Sequence, residues 1–186
     1  MADFRTAGSL GARIQAARKQ RGFRTTRDLA QAINVGNVSE SIIENIEAGR
    51  KVNVDISQLL NIAKALSVSP SFLLAPLGTP DAKVDLPNLS KDLSAMTALE
   101  FDAWAMGTNE GEYRPTTMDE RTSVAELQAL REWAALRKEI MRLETLVELE
   151  DTALENKPRS GRSRLEATMA EQGKVTAYLR SAGWEI

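Results

Sequence analysis

Apolar residues recur along the first half of the chain at intervals of three and four, and Gly, Pro or short Asn/Ser runs interrupt them every ten residues or so. That period is helical, and the interruptions divide it into five short helices. Leu10, Ile14 and Ala17 mark the first, over Leu10–Arg21, with Arg13, Lys19 and Arg21 expected in solvent and Gly22 as its stop. Thr25 caps the second, and Asp28 three residues later completes a capping-box pattern; Leu29, Ala30 and Ile33 turn inward. The turn Asn34–Asn37 leads through Val38 to the stretch SESIIENIEAGR, Ser39–Arg50. Ser39 can cap that helix, Ile43 and Ile46 share one side, and Gly49 suits a left-handed C-terminal cap. A fourth helix, SQLLNIAKALSV, turns Leu59, Leu60, Ile62, Ala63 and Leu66 inward. The fifth, SPSFLLAP, has Pro70 in its first turn and ends at Pro76. Met1–Gly8 shows no strong pattern and is expected as a mobile arm.

The second half reads differently. Gly78–Pro87, with Pro80 and Pro87, has the composition of a linker. The expected division is therefore a domain over 1–77, a linker over 78–90 and a helical region over 91–186. Thr97-Ala-Leu-Glu100 is a capping box opening a helix whose Phe101 and Trp104 would close a small satellite core. Thr117-Met-Asp-Glu120 starts the longest helix, about 118–156. On it Trp133, Ile140, Val147 and Leu154 fall at heptad position a, and Ala129, Leu136, Leu143 and Glu150 at d. Branched residues at a with Leu at d favour a parallel two-stranded coiled coil, which makes Trp133, Leu136, Ile140, Leu143, Val147 and Leu154 the candidate dimerisation residues. A second stripe, Leu127, Leu130, Ala134 and Met141, offers another use: to receive a terminal helix at about 163–182, folded back through the turn Lys157–Gly161 as an intramolecular hairpin.

Composition narrows the chemistry. The 186 residues include no Cys and no His, which removes disulfides, thiolate metal sites, the commonest general base and the usual zinc ligand. No metal or other cofactor is expected. No apolar run approaches the roughly 20 residues that span a bilayer, and a cytoplasmic protein without membrane contact is the expectation. The net charge of −2 hides a split: residues 1–78 carry ten Lys/Arg against six Asp/Glu, and residues 79–186 carry fourteen against twenty. A basic front half suits a module that meets phosphate.

Five short helices, the third presented by the second, suit a helix-turn-helix. The segments LGARIQAARKQRG, DLAQAI, VSESIIENIEAGRK and LLNIAKALSVSPSFLL, in that order, make residues 10–77 resemble the Cro/phage-repressor (XRE-like) helix-turn-helix family. The resemblance implies an N-terminal five-helix lambda-repressor-like domain and says nothing direct about the rest. With the periodicity of the second half, the expected fold class is all-α, that domain followed by a helical C-terminal region with one long coiled-coil-like helix. The resemblance also implies that Ser39, Glu40, Ser41, Glu44 and Asn45 face the DNA groove. Asn45 can pair with adenine and Ser41 with base or phosphate, whereas Glu40 and Glu44 suit only a cytosine amino group and are otherwise repelled by phosphate; the alternative for both is a solvated position or one that holds an Arg side chain in place. Arg24, Thr26, Arg27, Arg50 and Lys51 are the candidate phosphate contacts, Thr26 through the N-terminus of the second helix. The Glu of Ile46-Glu47-Ala48-Gly49 maps onto a structural pair with Arg18. One departure stands out: the turn INVGNVSES is about three residues longer than is usual in the family, which should move the third helix or lengthen the second.

The function implied is sequence-specific binding of double-stranded DNA to regulate transcription, as a homodimeric repressor. The alternative is an antitoxin-type interaction protein whose C-terminal half holds a protein partner while the helix-turn-helix autoregulates. An enzyme is not expected. Residues 79–186 lack the period-two alternation of a β-rich self-cleaving domain, and the chain has no phosphate-binding Gly loop. The basic turn at Lys157, Arg159, Arg162 and Arg164 could reach DNA, but an ordinary solvated loop is the expectation.

Overall fold

The structure, a computed structural model, describes residues 3–109, 111–152 and 161–186. Among these the chain is helical, with a single isolated antiparallel bridge between Lys83 and Thr97. It divides into two compact units, one built from the residues up to Met106 with 111–113, the other from Gly107–Asn109 and Arg114–Ile186. No helix among the described residues is long and apolar enough to cross a membrane.

Helices α1 (Leu10–Gln20), α2 (Thr26–Ile33), α3 (Glu40–Glu47), α4 (Ile56–Leu66) and α5 (Pro70–Leu74) form the first part of the first unit. Their starts follow the caps in the sequence. The Ser9 hydroxyl accepts from Ala12 N–H, Thr25 and Asp28 form a reciprocal capping box, and Pro70 sits in the first turn of α5. Ile14, Leu29, Ile43, Ile62, Leu66 and Leu73 are fully buried and draw one residue or more from each of the five helices into one core. Leu60, expected inward, is about half exposed, because α4 buries Leu59, Ile62, Ala63 and Leu66 on the face a hundred degrees away.

Gly11 lies inside α1 at a cost of roughly 1 kcal/mol relative to Ala. The reason is the neighbour: a Cβ added there would overlap the Ile46 carbonyl oxygen of α3. Its missing side chain is what lets α3 lie against α1.

Three further expectations for this unit are corrected. Arg13 is not in solvent but fully buried. Its Nε donates to the Leu73 carbonyl at 2.8 Å, Nη1 to the Ala7 carbonyl at 2.9 Å, and Nη1 and Nη2 each to an Asp85 carboxylate oxygen at 2.7 Å. With five N–H groups in a fixed fork, Arg is the one basic side chain that meets so many acceptors at once, and that satisfaction is what permits its burial. The second correction follows from the first. Residues 78–90 are not a spacer between units: Asp85 is held by Arg13, and Val84 is buried with Ala75, Ala98 and Phe101 in a second small core. The first unit accordingly extends through α6 (Lys91–Ala95) and α7 (Ala98–Met106), the latter opened by the Thr97–Glu100 capping box. Phe101 joins this core, while Trp104 lies beside it, ring centroids 5.9 Å apart, and stays partly exposed. Third, the N-terminal arm is docked rather than mobile from Asp3 onward: Phe4 is buried and meets Phe72 edge-on, centroids 5.8 Å apart.

The second unit is a helical hairpin of α8 (Met118–Thr152) and α9 (Gly161–Ser181). The two run antiparallel. Trp133 Nε1 donates to Thr176 Oγ1 at 3.1 Å, Gly161 N–H to Glu150 Oε2 at 3.1 Å, and Trp184 Nε1 to Glu126 Oε2 at 3.1 Å. The face of α8 under α9 is the heptad stripe itself, with Ile140 and Leu143 buried and Trp133, Leu136 and Val147 partly covered. The second stripe, expected to receive the terminal helix, points the other way, and Met141 and Leu149 lie open there. The hairpin reading of the sequence thus had the right partner and the wrong face. Of the basic turn, Arg162 pairs with Asp151 at 3.0 Å and Arg164 with Glu139 at 3.5 Å. Leu154, Lys157 and Arg159 lie outside the described residues.

Candidate nucleic-acid interface

Helix α3 is short, and two anchors fix it. Ile43 and Ile46 bury its inner side, and Glu47 in its last turn takes two bonds from Arg18 of α1, Nε to Oε1 at 2.6 Å and Nη2 to Oε2 at 2.8 Å. Arg18 Nη1 also donates to the carbonyls of Phe23 and Arg24, at 3.0 and 2.9 Å. One guanidinium therefore ties the α1–α2 connection to the end of α3.

The outward side of α3 carries the candidate base contacts. Ser41 and Glu44 are exposed, and Glu40 and Asn45 partly so. Ser39 is the N-cap: its hydroxyl accepts from Ile42 N–H at 3.4 Å and lies 3.0 Å from the Ser41 hydroxyl. Two candidate base contacts are joined to two candidate phosphate contacts. Glu40 pairs with Arg27 of α2 at 3.4 Å, an exposed contact worth little to stability. Asn45 Oδ1 accepts from Arg50 Nε at 2.8 Å. Glu40 thus takes the alternative of holding an Arg in place, but neither which Arg nor the Asn45–Arg50 bond was legible beforehand, since spacing along the chain does not report which side chains bend toward each other. The Glu40 pair eases the electrostatic difficulty of a carboxylate near phosphate, because it brings its own cation. The Asn45 amide oxygen keeps a second lone pair and its NH2 both donors, so both groups needed for adenine remain.

Arg24 and Arg27 are exposed around the start of α2, where Thr26 occupies the first helical position, and Arg50 and Lys51 follow α3. Gly49 has φ 72°, the left-handed conformation expected of it. The long turn is ordered. Asn34 closes α2 in a left-handed conformation, φ 49°, and Val38 N–H reaches back to the Val35 carbonyl at 3.0 Å. Asn37 is fastened to α4, its Nδ2 donating to Ser57 Oγ at 2.9 Å and its carbonyl accepting from Gln58 Nε2 at 2.8 Å. The extra residues form this turn and do not extend α2, which ends at Ile33.

A short helix with a polar outer face, seated across a second helix on a small all-helical core, defines a helix-turn-helix DNA-binding domain. Comparison with known families agrees in position: the Helix-turn-helix family matches residues 14–73. That segment is a helix-turn-helix domain of the Cro/phage-repressor, XRE-like type, the DNA-binding module of a class of transcription regulators. No curated protein and no solved structure matches the chain.

Proposed function

We propose that the chain regulates transcription by sequence-specific binding of double-stranded DNA, with α3 in the major groove and repression by occupancy. The observation that carries this reading is the outward side of α3, polar along its length and followed directly by Arg50 and Lys51. Selection of bound duplexes from random DNA tests it, since a recovered motif reports base preference and half-site symmetry together. Arg50→Ala is expected to weaken binding to all duplexes alike and to shallow the salt slope by about one. Asn45→Ala is expected to relax preference at one base pair, a loss of about 1–3 kcal/mol. Because it also releases Arg50, the two substitutions together should cost less than the sum of their separate effects. If Asn45→Ala bound every duplex as wild type does, α3 would not be the reading element.

The regulator acts as a homodimer in this proposal, because tethering makes the second half-site contact effectively intramolecular. Trp133, Leu136, Ile140, Leu143 and Val147 already face α9, so pairing through them would require α9 to leave. A better-suited surface lies on the first unit, where Ile56 is 77% exposed and Val52 and Leu60 are about half exposed. Ile56 and Leu60 stand one helical turn apart on α4, beside an apolar groove lined by Leu10, Val54, Leu86 and Leu89. Ile56→Asp with Leu60→Asp is expected to give a monomer by light scattering and to weaken binding to a symmetric site by tenfold or more. An unchanged mass would place the pairing surface elsewhere.

A further inference from the structure

The long turn between α2 and α3 leaves an open groove of about 370 Å³ between the outward side of α2 and the first turn of α3. Arg27 and Gln31 line it from α2, Ser39 and Glu40 from α3, and Val35 from the turn. Val35 is 46% exposed. Isolated apolar residues on a surface are ordinary, but this one stands beside two candidate base contacts at the end of the helix that enters the groove first.

The turn also holds it in place. The Val35 carbonyl is engaged by Val38 N–H, the residue before it closes α2 as a left-handed cap, and Asn37 two residues later is bonded twice to α4. Val is β-branched and stiff at χ1, so a turn pinned on both sides presents its two methyl groups with little entropy left to lose. The edges of the major groove are donors and acceptors with one apolar exception, the 5-methyl group of thymine. An apolar, preorganised side chain at the mouth of the reading helix matches that group and no other.

We propose that Val35 is a specificity-determining residue that contacts the methyl group of a thymine next to the bases read by α3. This rests on the duplex-binding reading above and adds to it a base contact made from the turn.

The test uses the duplex that the intact wild-type chain selects from random DNA, with each thymine replaced in turn by deoxyuridine, a change that removes the methyl group alone. Wild type is expected to lose about fourfold in affinity at one position, the effect of withdrawing one methyl group from an apolar contact. Val35→Ala should bind the thymine duplex about fourfold more weakly and no longer distinguish it from the deoxyuridine duplex; Val35→Thr, with one methyl left, should fall between. Val35 is exposed, so circular dichroism should show unchanged helix in both variants. A wild-type chain indifferent to every replacement overturns the proposal, as does Val35→Ala that discriminates like wild type. Either result leaves duplex binding standing, whereas failure to retain any duplex overturns both readings.

Discussion

Glu47→Ala is expected to destabilise the first unit by about 3–5 kcal/mol, the usual consequence of leaving one member of a buried ion pair without the other. The side chains of Arg18 and Glu47 are 6% and 5% exposed, and the carboxylate takes two of the guanidinium's donors. Without Glu47 the Arg18 charge stays fastened to the Phe23 and Arg24 carbonyls and cannot turn out to water without breaking those bonds too. For a unit of about a hundred residues the loss corresponds to a fall in Tm of roughly 15 °C or more. Its structural target is specific. Glu47 ends α3, so the fraction that remains folded should also bind DNA less well, because the reading helix loses its hold at one end. Replacing both partners by apolar residues, Arg18→Met with Glu47→Leu, should recover part of the stability, since no uncompensated charge is left. Recovery should be incomplete, because the two loop carbonyls lose their donor. Urea denaturation of the two variants and wild type measures these differences; a Glu47→Ala chain within about 1 kcal/mol of wild type would show that α3 is held by its isoleucines alone.

The Arg18–Glu47 pair could be anticipated because the resemblance carried it, and most of the local structure could be read because its causes are local. The caps at Thr25, Ser39, Thr97 and Thr117 and the stop at Gly49 involve residues within three or four positions of one another. Arg13 shows where that ends. Helical periodicity in a short amphipathic stretch puts an arginine outside by default, and what buries this one is, besides the nearby Ala7 carbonyl, a set of acceptors 60 to 72 positions away. The same remote carboxylate, Asp85, is why a Pro-bounded segment with linker composition is part of a folded unit. Gly11 reads as a defect in a helix until the Ile46 carbonyl is seen against it. In the candidate site, the sequence identified which residues lie on the outward side of α3. It offered Glu40 as the holder of an Arg without naming Arg27 and was silent on Asn45–Arg50, contacts set by side-chain rotamers across a turn.

The heptad stripe of α8 is the more instructive case. Its period told correctly which face is covered, but an apolar seam of that spacing serves an antiparallel partner from the same chain as well as a parallel one from another. The matching stripe on α9 runs through Gly161, Leu165, Thr168, Gln172, Val175 and Leu179. Half of these residues are polar or lack a side chain, so α9 gives almost no periodic signal of its own.

Ile140→Asp with Val147→Asp separates the two uses of that seam, and its expected effect is the largest of any substitution considered. An unpaired carboxylate set among apolar groups costs several kcal/mol, and two of them here meet a small core in which Ile140, Leu143, Val175 and Leu179 are the buried aliphatic residues. A two-helix unit has little stability to lose, so α9 is expected to detach, its amides losing protection from hydrogen exchange and helical ellipticity falling. The first unit has its own core and should keep its protection unchanged. Met141→Asp with Leu149→Asp is the matched control: both residues lie more than half exposed on the opposite face, and the variant should stay within about 0.5 kcal/mol of wild type. Light scattering on the same samples decides the matter. Loss of helix at unchanged mass is the result expected of an intramolecular hairpin. A halved mass with helicity retained would mean instead that the seam joins two chains, and that α9 gives way when they meet.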